Sequence, residues 1–316
     1  MYLKAVSEKI TKDVGYFSRM KSTKSFIYGI LLGILGIVLF SSKAVMVKLA
    51  YQYNVDALSV LLLRMLFSFP FYLVVAINIR KKNVGQNTSR DYAWVFFFGF
   101  LGYYLSSYFD FVGLEYIKAS LERIILFLYP TMVLIFNKLF LKKPITKIQI
   151  IAIGLSYLGI VITFWGEAVA TGSDAFIGGF LILLCAVTYA SYLVGSGWLI
   201  PKLGVVKFTT YAMLVSCVCV FVHYGLVSKI NILNYPFEVY VLGFLIAIFA
   251  TVIPSYLVSE AINRINSSNF AVIAGFGPIS TIILAAIFLD ERFTVIQWFG
   301  ALVVIIGILL VSVKKK

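Results

Sequence analysis

The sequence predicts an all-α integral membrane protein, with ten transmembrane helices arranged as two inverted five-helix repeats. Three observations carry that prediction. Hydrophobic residues make up 61% of the 316 and charged residues only 13%, whereas a soluble domain carries about 25% charge; mean hydropathy is +0.99. The apolar residues form continuous runs of about 20, enough to cross a hydrocarbon core as a helix, and lack the alternation of a lipid-facing strand. The chain also repeats itself, since residues 105–162 lie over 253–310 without a gap.

The elements follow in order. Residues 1–25 have no apolar core of the signal-peptide kind. Leu3, Val6, Ile10, Val14 and Phe17 recur at helical spacing among basic residues, so an amphipathic helix on the inner leaflet and a basic tail both fit. The first repeat, 26–165, holds spans at 26–48, 56–79, 92–114, 118–141 and 146–165. The second, 176–313, holds spans at 176–199, 206–228, 237–262, 266–289 and 293–313. The connections near 80–91 and 165–175 are too short to fold alone. Trp94, Trp165, Trp198 and Trp298 sit near span ends, where an interfacial belt places them.

The repeat is dense in identities. Ser107-Tyr108 falls on Ser255-Tyr256, Ser120 on Ser268, Pro130 on Pro278, Phe140-Leu141 on Phe288-Leu289 and Gly159-Ile160 on Gly307-Ile308. Basic residues crowd one set of connections, which orients that set and both termini toward the cytoplasm. Five spans per repeat then invert the second half. The matched turns agree: Lys142-Lys143 in the first copy becomes Asp290-Glu291 in the second, basic inside and acidic outside.

Several function classes drop out. A net charge of +14 follows from this asymmetry and from anionic lipid, so no nucleic-acid partner is needed. There is no Walker loop, zinc-protease motif or nucleophile elbow. With one histidine, His223, and three cysteines at Cys185, Cys217 and Cys219, all within spans, no metal, haem or other cofactor is expected. The expected partners are a small-molecule solute and the bilayer, with a homodimer left open.

Charge inside a span is costly and calls for a role. Lys43, Arg64, Asp110, Glu122 and Arg123 occupy four consecutive spans in the middle-to-outer layer, and together leave one cation over. Such a set suits a carboxylate or phosphate. It equally suits an ion-pair network that locks the helices. Lys43, Arg64, Arg123 and Tyr129 are the candidates for substrate contact, with Asp110 and Glu122 for gating or charge pairing. Pro130 and Pro278 interrupt equivalent helices and mark a cavity with hinges, although either can be a packing kink. His223 and Glu260 are candidates for proton coupling, with pairing to Arg264 the plainer role for Glu260. The glycines of spans 1, 5 and 10 read as close packing.

Certain stretches resemble a known family. They are Ser41-Ser42-Lys43 with Lys48-Leu49-Ala50, Leu63-Arg64, the Pro130 helix ending in Phe140-Leu141, and Pro278 through Phe288-Leu289-Asp290-Glu291-Arg292-Phe293-Thr294 to Gln297 and Gly300. Together they resemble the EamA-type members of the drug/metabolite transporter superfamily over residues 26–313. Asp290 replaces the glycine usual in the family's Leu-Gly-Glu-Arg turn, and Lys142-Lys143-Pro144 replaces the first copy's Glu-Arg. The resemblance implies a cavity between helices 1–4 and 6–9, alternating access and, often, metabolite export. A secondary transporter, most simply an exporter of an anionic or zwitterionic, amino-acid-like metabolite across the cell (inner) membrane, is therefore expected, and not an enzyme. A lipophilic-cation exporter would want an acidic cavity, and a receptor or scaffold would show no flux.

Overall fold

The computed structural model describes the backbone of residues 2–82, 88–141, 173–228, 232–274, 276–292 and 294–312, with isolated positions between 147 and 165. Side chains are described from Ser25 onward, apart from scattered positions. Among the described residues every regular element is a helix. Nine of the twenty residues of the predicted fifth span, 146–165, and the Lys142-Lys143 turn lie outside the described residues.

Helix α1 runs Tyr2–Tyr51, with Ser25–Tyr51 long and apolar enough to cross a membrane; α2 is Ala57–Lys82. Helices α3, Ser89–Tyr116, α4, Ala119–Phe140, α5, Ser173–Leu203, α6, Val205–Val227, and α7, Phe237–Ser267, also reach membrane-spanning length. Two shorter helices close the chain, α8 at Phe276–Phe288 and α9 at Val295–Ser312. Seven helices thus meet the length and composition of a span among the described residues, so the expected count of ten is not reached there.

The predicted spans 4 and 9 are not continuous rods. α4 is interrupted at Phe127–Leu128, between Ala119–Leu126 and Tyr129–Leu141. Proline explains the position. Pro130 has no N–H to offer Leu126, and its ring crowds that carbonyl. The chain instead makes tighter bonds, Leu128 N to Ile125 O at 3.0 Å and Thr131 N to Leu128 O at 3.0 Å. In the second copy Asn266 leaves the helical region at φ 63° and ψ 163°, and helix resumes up to Ile273. The chain breaks again before Pro278, with Gly277 N bonding Ala274 O at 2.8 Å. The same offset that aligns the sequences aligns these breaks. It also aligns two single π turns, Phe100–Leu105 in α3 and Ile248–Val252 in α7.

The packing interleaves the halves. α1, the first helix of one copy, lies against α7 and α8 of the other, and α5 lies against α3 and α4. Glycine permits the close approach at the π turn, because a Cβ on Gly102 would overlap the Tyr192 ring. Directions can be read from matched neighbours. On α1, Gly29, Gly33 and Gly36 meet Ile265, Ala261 and Val258 of α7, so the two run antiparallel. On α2, Leu63 meets Gly243, and Tyr72 meets Ser255, so α2 is parallel to α7. α2 opposes α3, since Ala57 bonds Glu115 and Arg64 bonds Ser107. α3 opposes α5, where Ser106 meets Cys185 and Trp94 meets Trp198. α1 and α5, whose sequences correspond, therefore run in opposite directions.

One end of the bundle is tied by polar bonds. Tyr51 Oη donates to Phe111 O at 2.7 Å, and Tyr235 Oη to Asp56 Oδ1 at 3.1 Å. Asp290 adopts φ 53°, a left-handed conformation that asparagine and aspartate tolerate better than most residues; this accounts for aspartate standing where the family turn has glycine. The turn aims Glu291 at the start of α4. Its carboxylate accepts from Ala119 N at 2.9 Å, Ser120 N at 3.1 Å and Ser120 Oγ at 2.5 Å. An anion there satisfies otherwise orphaned N–H groups and meets the positive end of the helix dipole. Glu291→Ala is expected to cost about 2 kcal/mol, read as a lowered thermal midpoint in detergent. An unchanged midpoint would show that this cap does not hold α4.

Candidate functional site

The unwound segment of α4 and the start of α8 leave a hollow between the two halves. Its walls include Lys43 from α1, Arg64 from α2, Arg123 and Tyr129 from α4, Tyr189 from α5 and Pro278 from α8. All four residues expected to contact substrate thus face one chamber. The chamber measures about 70 Å³, room for about two waters at ~30 Å³ each. Sites for small organic ligands span about 300–1,000 Å³, so the chamber as it stands is narrower than such a site.

Each cation is held differently. Lys43 Nζ lies 2.6 Å from Asp110 Oδ2, with both side chains buried. Arg64 reaches across the repeats, donating from Nε to Thr251 Oγ1 at 2.7 Å and from Nη1 to Ser107 Oγ at 2.9 Å. Its guanidinium carbon also stands 5.5 Å from the centre of the Phe111 ring. These neutral partners leave the charge of Arg64 uncancelled by direct contact. Arg123 donates from Nη2 to Phe40 O at 3.2 Å, and its Nε is 3.6 Å from Glu122 Oε2.

Asp110 and Glu122 lie behind this wall and are fully buried. Their carboxyls adjoin, and the Cys185 thiol is 4.0 Å from Asp110 Oδ1. The five charges named from the sequence therefore form one buried group.

The structure sets the two residues expected to couple protons apart from the chamber. His223 is half-buried against aromatic rings, its Nδ1 3.1 Å from Tyr104 Oη and its ring 4.8 Å from that of Tyr108. Glu260 pairs with Arg264 at 2.5 Å on a more exposed surface, where Arg264 also bonds Ser25 Oγ. Neither lines the chamber. Pro130 is buried just past the break in α4, and Pro278 lines the wall itself. No group of three His, Cys, Asp or Glu with metal-binding geometry occurs among the described residues.

Sequence reasoning missed a tyrosine cluster. Tyr129 meets Tyr189 edge-on at 5.1 Å, Tyr189 stacks on Tyr192 at 6.2 Å, and Tyr192 meets Tyr103 at 4.7 Å. Tyr72, bonded to Ser255 Oγ at 2.9 Å, joins a second group with Tyr256. One signal was available: Ser107 and Ser255 are repeat mates, and they bond the chamber's Arg64 and nearby Tyr72 respectively. The i, i+3 spacing of Tyr189 and Tyr192 places them on one helix face, but such spacing alone does not distinguish a chamber wall from ordinary core.

Removing one partner of a buried ion pair strands the other, which costs about 3–5 kcal/mol. Lys43→Met should lower stability by that amount, and adding Asp110→Leu should restore most of it, read by denaturant unfolding in detergent. Equal stability of the single variant and the parent would show that the pair is not structurally coupled.

Comparison with known proteins agrees with this layout. The EamA-like transporter family matches twice, over residues 27–165 and 176–313. The chain is 31% identical to the uncharacterized transporter YcbK of Bacillus subtilis over 271 residues, covering 84% of this chain and 87% of that protein. It is 24% identical to the uncharacterized transporter sll1319 of Synechocystis over 318 residues, covering 91% and 94% respectively. One solved crystal structure superposes with a TM-score of 0.64 at 15% identity, over 90% of this chain and 98% of the other.

Proposed function

The chain belongs to the EamA-like transporter family, and from that premise we propose that it exports a small zwitterionic or anionic, amino-acid-like metabolite by alternating access. The observation that supports this cargo is the buried chamber, where Lys43, Arg64 and Arg123 face a hollow between the repeats. Only Lys43 is tightly paired there. A carboxylate entering the chamber would find guanidinium groups aimed at it, in a medium where charge-assisted bonds are strong. The aromatic wall would carry the less polar part of the solute. Rotation of one half against the other, about the breaks before Pro130 and Pro278, would widen the chamber on alternate sides.

The same proposal places ten spans in two inverted five-helix repeats in the cell (inner) membrane, with both termini in the cytoplasm. The opposed directions of α1 and α5 and the charge asymmetry of the connections support it. Single cysteines at Lys143→Cys and Asp290→Cys, in a cysteine-free background, should react with impermeant thiol reagents from opposite faces. Labelling of both from one face would remove the inversion.

Arg123→Gln removes one cation from the wall while keeping a polar, hydrogen-bonding side chain. Overproducing cells should release the solute at least about tenfold more slowly, corresponding to the loss of one charge-assisted contact. The readout is metabolite profiling of the medium, normalised to the amount of folded protein. Release equal to the parent's would rule Arg123 out as a solute ligand.

A further inference from the structure

Glu122 is the least satisfied charged group among the described side chains. It is 0% exposed, and both carboxyl oxygens lack a hydrogen-bond donor. Among the described residues its one ion pair is the 3.6 Å approach of Arg123 Nε, while Arg123 also gives Nη2 to the Phe40 carbonyl. Asp110, the other carboxyl at this place, already holds Lys43 at 2.6 Å. Two adjoining carboxylates away from water, with Lys43 at 2.6 Å from one and Arg123 only at 3.6 Å from the other and donating it no hydrogen bond, favour sharing a proton over both staying ionised. The groups facing the site bear this out. They are Lys43 from α1, Asp110 from α3, Arg123 from α4 itself and the Cys185 thiol from α5, with Arg64 of α2 near Asp110. α8, which packs on this part of α4, brings no titratable residue within Phe276–Phe288. At the start of α4 the Glu291 carboxylate is fully engaged by Ala119 and Ser120.

We infer that Glu122 is a proton-binding site directly behind the chamber, and that the proton and the ammonium group of a zwitterionic solute compete for it. This inference rests on the proposed zwitterionic cargo. The carboxylate of the solute goes to Arg123 and Arg64, and its ammonium lies toward Glu122. In the cytoplasm-facing state the entering ammonium replaces the Glu122 proton, which leaves to cytoplasmic water. In the outward-facing state a proton from outside returns to the Glu122 carboxylate and the solute departs. One proton moves in for each solute moved out, and no other reactant is consumed. An acid without an amine has nothing to displace the proton, so it would bind together with it.

Two measurements on the purified full chain decide the matter. Infrared difference spectroscopy across a pH titration should show the carbonyl stretch of a neutral carboxylic acid at neutral pH. That band should vanish in Glu122→Gln, which keeps size and hydrogen-bonding capacity. Asp110→Asn, which leaves Lys43 free to pair with Glu122, should move the loss of the band to lower pH. No neutral-acid band at neutral pH, or a band unchanged in Glu122→Gln, overturns the proton site. Thermal-shift titrations should use free amino acids, with their amine-free acids and carboxyl-free amines as matched probes. An amino acid that binds should weaken about tenfold for each pH unit of acidification while Glu122 is protonated, and Glu122→Gln should abolish that dependence. Binding that strengthens on acidification overturns the competition. If no probe binds at any pH while the infrared band is present and Glu122-dependent, the cargo assignment and the competition fall and the proton site stands.

Discussion

Charge buried in a hydrocarbon slab is the constraint from which the rest of this structure follows. Lys43, Arg64, Asp110, Glu122 and Arg123 come from four helices, and none can be left alone in lipid without a cost of several kcal/mol. They solve the problem by meeting. Lys43 settles on Asp110, Arg64 spends its donors on Ser107 and Thr251, and Arg123 turns toward Phe40 and Glu122. Because Thr251 belongs to the second half, the network also joins the repeats. Three of the five, Lys43, Arg64 and Arg123, both hold helices together and line the chamber.

The breaks in the helices supply what straight rods would not. A continuous α4 would present no free backbone groups to the seam, since they would be consumed internally. The interruption before Pro130, repeated before Pro278, frees backbone next to the chamber and gives each half a place to bend. The π turns in α3 and α7 sit at matched depth and let Tyr103 enter the chamber wall. At one end, the Glu291 cap and the Tyr235–Asp56 bond tie one repeat to the other. The first-copy mate of Glu291 is Lys143, which carries no acceptor carboxylate, so the two copies do not close their ends with the same chemistry.

Much of the fold was legible in the chain. Composition and run length identify a membrane protein with helical spans, and the Pro130–Pro278 match locates the two breaks to within a turn. The candidate site was partly legible. Intramembrane charge is rare enough that Lys43, Arg64 and Arg123 could be named without coordinates, and all three line the chamber. The same rule also named Glu260, whose helix end lets it pair with Arg264 near the surface, and His223, which packs among rings away from the chamber. The tyrosines went unread because aromatic residues are abundant throughout the spans, and abundance hides position.

By itself the sequence determined that the chain is a helical membrane protein, that it repeats, and which charges must be shielded, because hydropathy and repetition are properties of the chain read locally. Only the tertiary structure decided which cation meets which carboxylate, that Glu122 is left without a donor, and that α1 packs against the opposite copy. Those outcomes depend on the rotation and register of each helix about its own axis. A helix that is apolar on every face carries little record of either.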